Sequence, residues 1–377
     1  MTTETTAQPS TELPGTGQPS TELPPLQQHL QGKSPYGAPQ LDVPVKLNTN
    51  ESPFSPDAAL LEEITRAVTE AAQTANRYPD RDAVSLRTAL GEYLAETTGV
   101  SLELGQIWAA NGSNEVLQQL LMAFAGPGRT VLGFEPSYSM HRTLAEATGA
   151  HYEAVPRDSE FNIVLDDALA AIERARPAVI FLCTPNNPTG SSLDAETVLA
   201  IHDATDALVV LDEAYVEFSH SESLLSLIAG RPRLVVSRTM SKAFGLAGAR
   251  IGYLAADARV IDAVQLTRLP YHLSAISQAV AGAALRHRAS LLAGVDAVKV
   301  QRDRIVETLR ERGMRVVDSD ANFVLFRTQD GDGKGLWQRL LDRGVLIRDV
   351  GLDGHLRVTA GTEAETSRFL DALAECA

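Results

Sequence analysis

The feature that most constrains the fold is an alternation of short β-rich apolar runs with helical patterns between about residues 105 and 256. This alternation favours a largely parallel sheet covered by helices, which is an α/β fold. The runs expected to form strands span residues 130–133, 178–183, 208–211, 234–237 and 250–254. Each is followed by polar residues, glycine or proline, and in open α/β sheets ligands bind outside the carboxyl ends of the strands. The chemistry is therefore predicted to lie at those ends.

A change of pattern near residue 275 indicates a second, smaller α/β domain. A long helical stretch begins there, in which Val298, Ile305 and Leu309 fall on one face. Strands are then predicted at residues 322–326, 345–347 and 355–359, and helices at residues 336–342 and 364–375. At 377 residues and 44% hydrophobic content, the chain can bury two cores. We expect a large domain at residues 61–274 and a small domain formed by residues 30–60 and 275–377.

The N-terminal residues 1–29 are predicted to be a disordered low-complexity tail. The sequence Gln-Pro-Ser-Thr-Glu-Leu-Pro occurs twice there, at residues 8–14 and 18–24, in a background that offers almost no apolar surface to bury. A short recognition motif is the alternative interpretation of the repeat.

Charge and composition exclude several classes of protein. With 33 Lys and Arg against 48 Asp and Glu, the net charge of −15 disfavours binding to nucleic acid or anionic membranes. The two cysteines, Cys183 and Cys376, give neither a disulfide framework nor metal-ligand spacing, so no metal is expected. No signal-peptide pattern and no apolar run of about 18 residues is present. We expect a soluble cytoplasmic protein.

A lysine follows the apolar run at residues 234–237. It is Lys242, the last residue of Ser-Arg-Thr-Met-Ser-Lys, and a glycine-rich stretch follows at residues 245–250. A lysine amine can form an imine with an aldehyde cofactor, and small neighbours let a ring and a phosphate approach the backbone. Taken alone, this segment is more typical of a surface lysine after a strand.

Two acidic residues, Asp212 and Glu213, end the run that begins at residue 208. An ionised Asp beneath a pyridine nitrogen keeps that nitrogen protonated, which makes the ring an electron sink. Tyr215, three residues after Asp212, could donate a hydrogen bond to the phenolate oxygen of such a ring. The alternatives for Asp212 are a helix N-cap or a magnesium ligand, but no GxxxxGK[ST] loop is present to supply a phosphate partner.

Two polar turns are also informative. One follows a predicted strand, and the other lies at the start of a predicted helix. In Thr-Pro-Asn-Asn-Pro-Thr-Gly at residues 184–190, proline and glycine fix a rigid turn that can direct an asparagine amide at one acceptor. In Asn-Gly-Ser-Asn at residues 111–114, Ser113 or Asn114 would cap a helix whose free N–H groups form an anion site. An ordinary Asn-Pro turn and a plain helix cap are the alternatives.

In this order, the four segments resemble the fold-type I pyridoxal-5′-phosphate (PLP) aminotransferases over about residues 30–377. The resemblance implies that Lys242 holds PLP as a Schiff base and shuttles a proton, and that Asp212 binds the pyridine nitrogen. It implies that Asn187 and Tyr215 bind the ring oxygen O3′. The further cofactor-binding residues that it implies are Gly112, Ser113, Asn114, Tyr138, Thr239, Ser241 and Arg250, with Tyr138 stacked on the ring.

Finer motifs are similar to the histidinol-phosphate aminotransferase family, and they lie at residues 34–36, 47–51, 77–80, 238–245 and 356–359. This resemblance implies amino transfer between L-histidinol phosphate and 2-oxoglutarate in histidine biosynthesis. Arg357 would bind the anionic group of the substrate, and Tyr36 and Asn50 would line the same pocket. Tyr78 would reach the cofactor phosphate of a neighbouring subunit, which implies a homodimer.

The sequence departs from that family at Ser52, where Asn is usual, and at Asn114, where an acid is common. Aromatic-amino-acid aminotransferases and threonine-phosphate decarboxylases share nearly all of the same residues and stay open as alternatives. A PLP-binding regulator would need a winged-helix segment, for which residues 1–30 are too short and too polar. A nucleotide-binding oxidoreductase would need G-x-G-x-x-G after a strand, which the glycines near residue 250 do not form.

Overall fold

The computed structural model describes residues 23–33, 37 and 39–376. The chain divides into two compact units, residues 1–35 and 36–377. The described part of the first unit contains a single 3-10 turn, Gln28–Leu30, with no buried side chain. The predicted disordered tail lies outside the described residues up to residue 22, and its disorder stays a prediction.

The second unit contains helices and strands in alternation along most of its length. The helices are α1 Ala58–Gln73, α2 Val84–Thr98, α3 Ser113–Phe124, α4 Ser139–Ala147, α5 Leu165–Ala175, α6 Ala195–Asp203, α7 Ala258–Gln265, α8 Ala275–Arg286, α9 Arg288–Glu311, α10 Gly333–Asp342 and α11 Glu363–Cys376. The strands are β1 Val45–Lys46, β2 Ile107–Ala110, β3 Thr130–Glu135, β4 His151–Pro156, β5 Val179–Cys183, β6 Leu208–Asp212, β7 Leu234–Thr239, β8 Gly252–Ala255, β9 Arg315–Val316, β10 Phe323–Arg327, β11 Val345–Leu346, β12 Arg348–Asp349 and β13 His355–Thr359.

The main sheet has the order β2-β8-β7-β6-β5-β3-β4, and only β8 runs against the other strands. The prediction of an α/β fold with a mostly parallel central sheet is confirmed. Strand β8 begins two residues later than predicted because Arg250 adopts a left-handed conformation with φ of 56°. Strands β2 and β4, which form the two edges of the sheet, were not predicted from the sequence.

The central strands are continuous apolar runs because both of their faces are covered. Along β6, Val209 and Leu211 pack into one hydrophobic cluster, while Leu208 and Val210 pack into a second cluster on the opposite face. Full burial of a Val or Leu side chain contributes about 1.5–3 kcal/mol. This double burial makes β6 a rigid support for Asp212, its last residue.

A smaller antiparallel sheet has the order β12-β13-β10-β9, and β1 pairs with β11 in parallel. The N-terminal segment thus joins the C-terminal part of the chain, although the proposed boundaries at residues 60 and 274 stay predictions. Helix α9 buries Val298, Ile305 and Leu309, as the periodicity predicts. The strand predicted at residues 345–347 is β11, and it is followed by a strand that was not predicted, β12, in a different sheet. Strand β12 places Arg348 opposite Arg357 on β13.

Within residues 23–33, 37 and 39–376, no helix is long and apolar enough to cross a membrane. In the same part of the chain, no group of three or more His, Cys, Asp or Glu side chains is placed to hold a metal ion.

Candidate active site

A cavity of about 290 Å³ lies where β5, β6 and β7 end, and residues of the smaller sheet close its other side. Ligand sites in open α/β sheets occupy this position. The predicted site residues that line it are Asn50, Ser113, Asn114, Tyr138, Asn187, Asp212, Tyr215, Thr239, Ser241, Lys242, Arg250 and Arg357. One cavity therefore brings together residues separated by up to about three hundred positions in the sequence.

Asp212 is buried at the floor of the cavity. One carboxylate oxygen, Oδ2, lies 3.0 Å from Nε2 of His141 in α4. The His141 ring stacks on Phe181 of β5, with 4.4 Å between the ring centroids. The other oxygen, Oδ1, is buried and has no hydrogen-bond partner within the described residues. Because a buried carboxylate oxygen without a partner is costly, Asp212 is arranged to accept a donor that enters the cavity.

His141 is a site residue that the sequence analysis missed. It is completely enclosed, and its stacking on Phe181 and hydrogen bond to Asp212 fix the orientation of the carboxylate. The available signal was its spacing of three residues from Tyr138, which is the spacing of neighbours on one face of a helix.

Lys242 lies in the turn after β7, and its Nζ donates a hydrogen bond to the Thr49 carbonyl oxygen at 3.1 Å. Burial lowers the pKa of Lys242 to about 8, and the positive charges of Arg357 and Arg250 act in the same direction, against the opposing carboxylate of Glu51. A substantial fraction of Lys242 is therefore the neutral amine near physiological pH. A neutral amine can act as a nucleophile and as a base.

The end of the cavity near α3 is built to bind an anion. The first residues of α3, Ser113 and Asn114, line the cavity, and free N–H groups at a helix start attract negative charge. Arg250 Nη1 lies 3.4 Å from Ser241 Oγ. Gly112 has φ of 83°, and a Cβ there would lie 2.5 Å from Arg250 Nη2, so only glycine leaves room for the guanidinium group. Gly112 thus lies against Arg250, but it does not line the cavity.

Strand β8 also approaches the start of α3 very closely. A Cβ at Gly252 would lie 2.1 Å from the backbone N of Ser113. Any larger residue at position 252 would displace the helix start from the cavity. Thr239, at the end of β7, faces the same end of the cavity and donates a hydrogen bond from Oγ1 to the Ile251 carbonyl oxygen at 3.2 Å.

A hydrogen-bonded network surrounds the hydroxyl group of Tyr215. Its oxygen accepts hydrogen bonds from Asn50 Nδ2 at 3.0 Å and from Asn187 Nδ2 at 3.2 Å. Burial raises the pKa of Tyr215 to about 12, so the phenol stays protonated. Since both amides donate to this oxygen, the Tyr215 proton is available to donate into the cavity. Asn50 itself is held by Thr359, whose Oγ1 donates to Asn50 Oδ1 at 3.0 Å.

Two arginines from the smaller sheet reach the cavity. Arg357 is oriented by Nη1 donating to Asn187 Oδ1 at 2.6 Å and by Nη2 donating to the Asn48 carbonyl oxygen at 2.8 Å. Arg348, directly opposite on β12, was not identified from the sequence. Within the described part of the chain, the Arg348 side chain makes no hydrogen bond or ion pair. This end of the cavity therefore presents two cations in a protein whose net charge is −15.

The remaining predicted site residues are three tyrosines, Tyr138, Tyr78 and Tyr36. Tyr138 lines the cavity, and its hydroxyl donates to Asn114 Oδ1 at 3.1 Å. Tyr78 does not line the cavity of its own chain, is 79% exposed and stacks on Tyr271 at 4.3 Å. Tyr36 lies outside the described residues.

A lysine and a carboxylate at the ends of neighbouring parallel strands, facing an anion-binding helix start, define a PLP-dependent transferase of fold-type I. A family model described as aminotransferase class I and II matches residues 42–373. The chain belongs to the aminotransferase class I and II family.

Known relatives are consistent with this membership. A protein named histidinol-phosphate aminotransferase from Streptomyces avermitilis is 58% identical over 355 residues, which cover 93% of this chain and 96% of that protein. A protein of the same name from Frankia casuarinae is 56% identical over 355 residues, covering 93% and 89%. The crystal structure of histidinol-phosphate aminotransferase from Sinorhizobium meliloti in complex with pyridoxal-5′-phosphate has a TM-score of 0.79 and 28% identity, covering 89% and 91%. The predicted resemblance to PLP aminotransferases is confirmed.

Proposed function

We propose that this chain is a histidinol-phosphate aminotransferase, which moves an amino group between L-histidinol phosphate and 2-oxoglutarate with PLP as cofactor. The relatives that share more than half of its residues bear this name. The observation that carries the substrate assignment is the pair of arginines, Arg348 and Arg357, on adjacent strands at one end of the cavity.

The residues of the cavity fit PLP. Asp212 Oδ1 is a buried acceptor without a partner, which suits a protonated pyridine nitrogen. The Tyr215 hydroxyl has a proton to donate to O3′, and the start of α3 with Arg250 suits the phosphate. Among the described residues that line the cavity, Lys242 is the only lysine, so it is assigned to hold the cofactor covalently.

Each of these residues then has a defined task in amino transfer. PLP, when bound, supplies an electron sink for the negative charge that develops at the substrate Cα. Asp212, oriented by His141, keeps the pyridine nitrogen protonated. Lys242 Nζ accepts the proton that leaves Cα, because its lowered pKa leaves much of the amine unprotonated. Arg357 binds the carboxylate of glutamate or 2-oxoglutarate through its planar guanidinium group.

The pKa of Lys242 predicts how cofactor attachment depends on pH. Attachment needs the neutral amine, whose fraction rises with pH up to the pKa of about 8. The rate at which PLP attaches to the apoenzyme should therefore rise about tenfold per pH unit below that value and level off above it. Stopped-flow absorbance measurements would give the profile. Free N-acetyl-lysine is the control, since its attachment should keep rising to about pH 10. An enzyme profile that follows the control would contradict the lowered pKa.

The two arginines favour a substrate that carries a phosphate. A phosphate has two negative charges and three acceptor oxygens, which can bind two guanidinium groups at once. Phenylalanine and tyrosine would place a single carboxylate on Arg357 and leave Arg348 without an anionic partner. An unpaired, partly desolvated polar group costs roughly 1–3 kcal/mol, or about tenfold or more in specificity.

We therefore expect kcat/KM for L-histidinol phosphate to exceed that for phenylalanine or tyrosine by about tenfold or more, with 2-oxoglutarate as acceptor. Arg348→Gln should raise KM for histidinol phosphate by about tenfold and change KM for glutamate much less. Arg327→Gln, on β10 and outside the cavity, is the matched control. Phenylalanine used as well as histidinol phosphate would favour the aromatic aminotransferase, and carbon dioxide release from threonine phosphate would favour the decarboxylase.

We also propose that the chain acts as a homodimer, in which Tyr78 contacts the cofactor phosphate of the neighbouring subunit. Tyr78 is 79% exposed, and it stacks on Tyr271, which is itself exposed. Leu266 and Leu269, on the segment before Tyr271, are 86% and 73% exposed. Exposed aromatic and aliphatic side chains of this kind are typical of a surface that another chain covers.

A further inference from the structure

Asp320 lies in the loop between β9 and β10. It joins this loop to two segments that follow strands of the main sheet. Its Oδ2 accepts a hydrogen bond from Ser192 Oγ at 2.6 Å, and its Oδ1 accepts one from His220 Nδ1 at 2.9 Å. The His220 backbone N–H also donates to Oδ1, at 3.1 Å. The Asp320 backbone N–H in turn donates to the Gly190 carbonyl oxygen at 2.8 Å. One residue thus binds the segments that follow β5 and β6.

Arg302 of α9 holds His220 from the other side. Its side chain is completely buried, Nη1 donates to the Phe218 carbonyl oxygen at 2.9 Å, and Nη2 lies 3.1 Å from His220 Nε2. Because a guanidinium group only donates, His220 Nε2 is the acceptor and Nδ1 carries the proton that binds Asp320. Arg302, His220, Asp320 and Ser192 therefore form one continuous hydrogen-bonded chain.

Asp320 is charged within this chain. Partial burial opposes its ionisation, but hydrogen bonds from Ser192 and His220 outweigh that effect and hold the pKa of Asp320 below its usual range. Hydrogen bonds to a charged group are about twice as strong as neutral ones. The Asp320 side chain is only 20% exposed, although the ring of its partner His220 is 65% exposed.

The same loop leads directly to the substrate end of the cavity. Gly190, which accepts from Asp320, ends the turn that contains Asn187, and Asn187 Oδ1 accepts from Arg357. Two residues after Asp320, Asn322 Nδ2 donates to the Asn50 carbonyl oxygen at 3.1 Å. Asn50 and Arg357 both line the cavity.

The loop and the turn lie so close together that no side chain fits at position 190. Gly190 has φ of 83°, and a Cβ there would lie 2.3 Å from Ser319 Oγ. The turn that carries Asn187 is therefore in direct contact with the loop that carries Asp320, through the Ser319 side chain and through the backbone hydrogen bond from Asp320 to Gly190.

We propose that Asp320 is a positioning residue for substrate binding, which sets the distance between Arg357 on the smaller sheet and Asn187 in the turn after β5. The proposal deepens the proposed function, on which it rests only for the identity of the phosphorylated substrate. Asp320 does not contact the cavity. Three of the residues assigned to the cofactor, Asp212 at the end of β6, Lys242 in the turn after β7 and Arg250 before β8, make no hydrogen bond to Asp320. Loss of Asp320 should therefore weaken substrate binding more than cofactor binding.

Asp320→Asn is the first variant to measure, because the amide keeps the size of the side chain but removes its charge. We expect KM for glutamate and for histidinol phosphate to rise about tenfold, while kcat falls less than about threefold. The affinity for PLP should change much less, because Asp212, Lys242 and Arg250 make no hydrogen bond to Asp320. The dissociation constant of glutarate, which binds without reacting, should rise about tenfold as well.

Two further variants complete the test. Ser192→Ala removes one partner of Asp320 without touching the carboxylate, and it should raise the same KM values less than Asp320→Asn does. Combined with Asp320→Asn, its effect should be smaller than the sum of the two single effects. Asp318→Asn is the matched control, because Asp318 is 92% exposed and pairs only with Arg310. It should leave KM and kcat unchanged.

Unchanged KM values and glutarate binding in Asp320→Asn would overturn the proposal, as would a lower melting temperature with no change in KM. Failure of the proposed function is distinguishable, because it would show in the wild-type protein as no reaction with histidinol phosphate. Glutamate KM and glutarate binding would still test Asp320 in that case.

Discussion

Replacement of Lys242 by alanine is expected to reduce turnover by more than about 10⁴-fold, because it removes the amine that holds the cofactor together with the base. A positioned base alone contributes about 10²–10⁴-fold to an enzymatic rate. No other lysine among the described residues lines the cavity, so no second amine is placed to take over its role. The variant should fold normally, since the half-buried side chain makes one hydrogen bond, to the Thr49 carbonyl oxygen. Steady-state kinetics and the melting temperature measure both effects.

Lys334→Ala is the matched control, because Lys334 is exposed on α10 and lies outside the cavity. Small primary amines added to Lys242→Ala should restore part of the rate if the lost group is a base. Borohydride reduction of the wild-type holoenzyme, followed by peptide mapping, should place the cofactor on Lys242. A label on a different lysine would show that Lys242 was assigned wrongly.

The residues nearest to the chemistry were predictable because the fold is a parallel sheet. Asp212 and Lys242 follow the continuous apolar runs that became β6 and β7, and Asn187 follows β5. The carboxyl ends of adjacent parallel strands meet at one edge of a sheet, so polar residues after such runs converge. The order of these segments was enough to indicate the cofactor.

The substrate end was less predictable, because it depends on contacts between residues that are distant in the sequence. Arg348 was missed since the predicted strand ends at residue 347, and nothing local shows that a strand of a different sheet begins at residue 348. Asp320 is separated from Ser192 by 128 positions, and only the packing of the smaller sheet on the turn after β5 brings them together. Tyr78 is exposed in the single chain, so its assignment depends on a second subunit.

Replacement of Asp212 by asparagine is expected to preserve the fold and to lower kcat by about 10²–10³-fold, the loss that follows removal of one preorganised electrostatic group. An amide has nearly the same shape as the carboxylate, so contacts with His141 and the buried end of β6 are kept. What is lost is the negative charge, without which the ring nitrogen is protonated less and the ring withdraws electrons less strongly. Single-turnover kinetics with glutamate should show the loss in the proton-transfer step, with the melting temperature little changed.

A modified cofactor can distinguish the contribution of the Asp212 charge to the rate from the contribution of its shape. A PLP analogue methylated on the ring nitrogen carries a permanent positive charge and needs no carboxylate to keep it. Reconstitution of Asp212→Asn with this analogue should therefore recover much of the rate, whereas wild-type protein should gain nothing from it. His141→Ala should show a smaller loss than Asp212→Asn, because His141 acts only through the carboxylate that it orients. Near-normal kcat for Asp212→Asn with ordinary PLP would show that the buried carboxylate supports the strand end and takes no part in the chemistry.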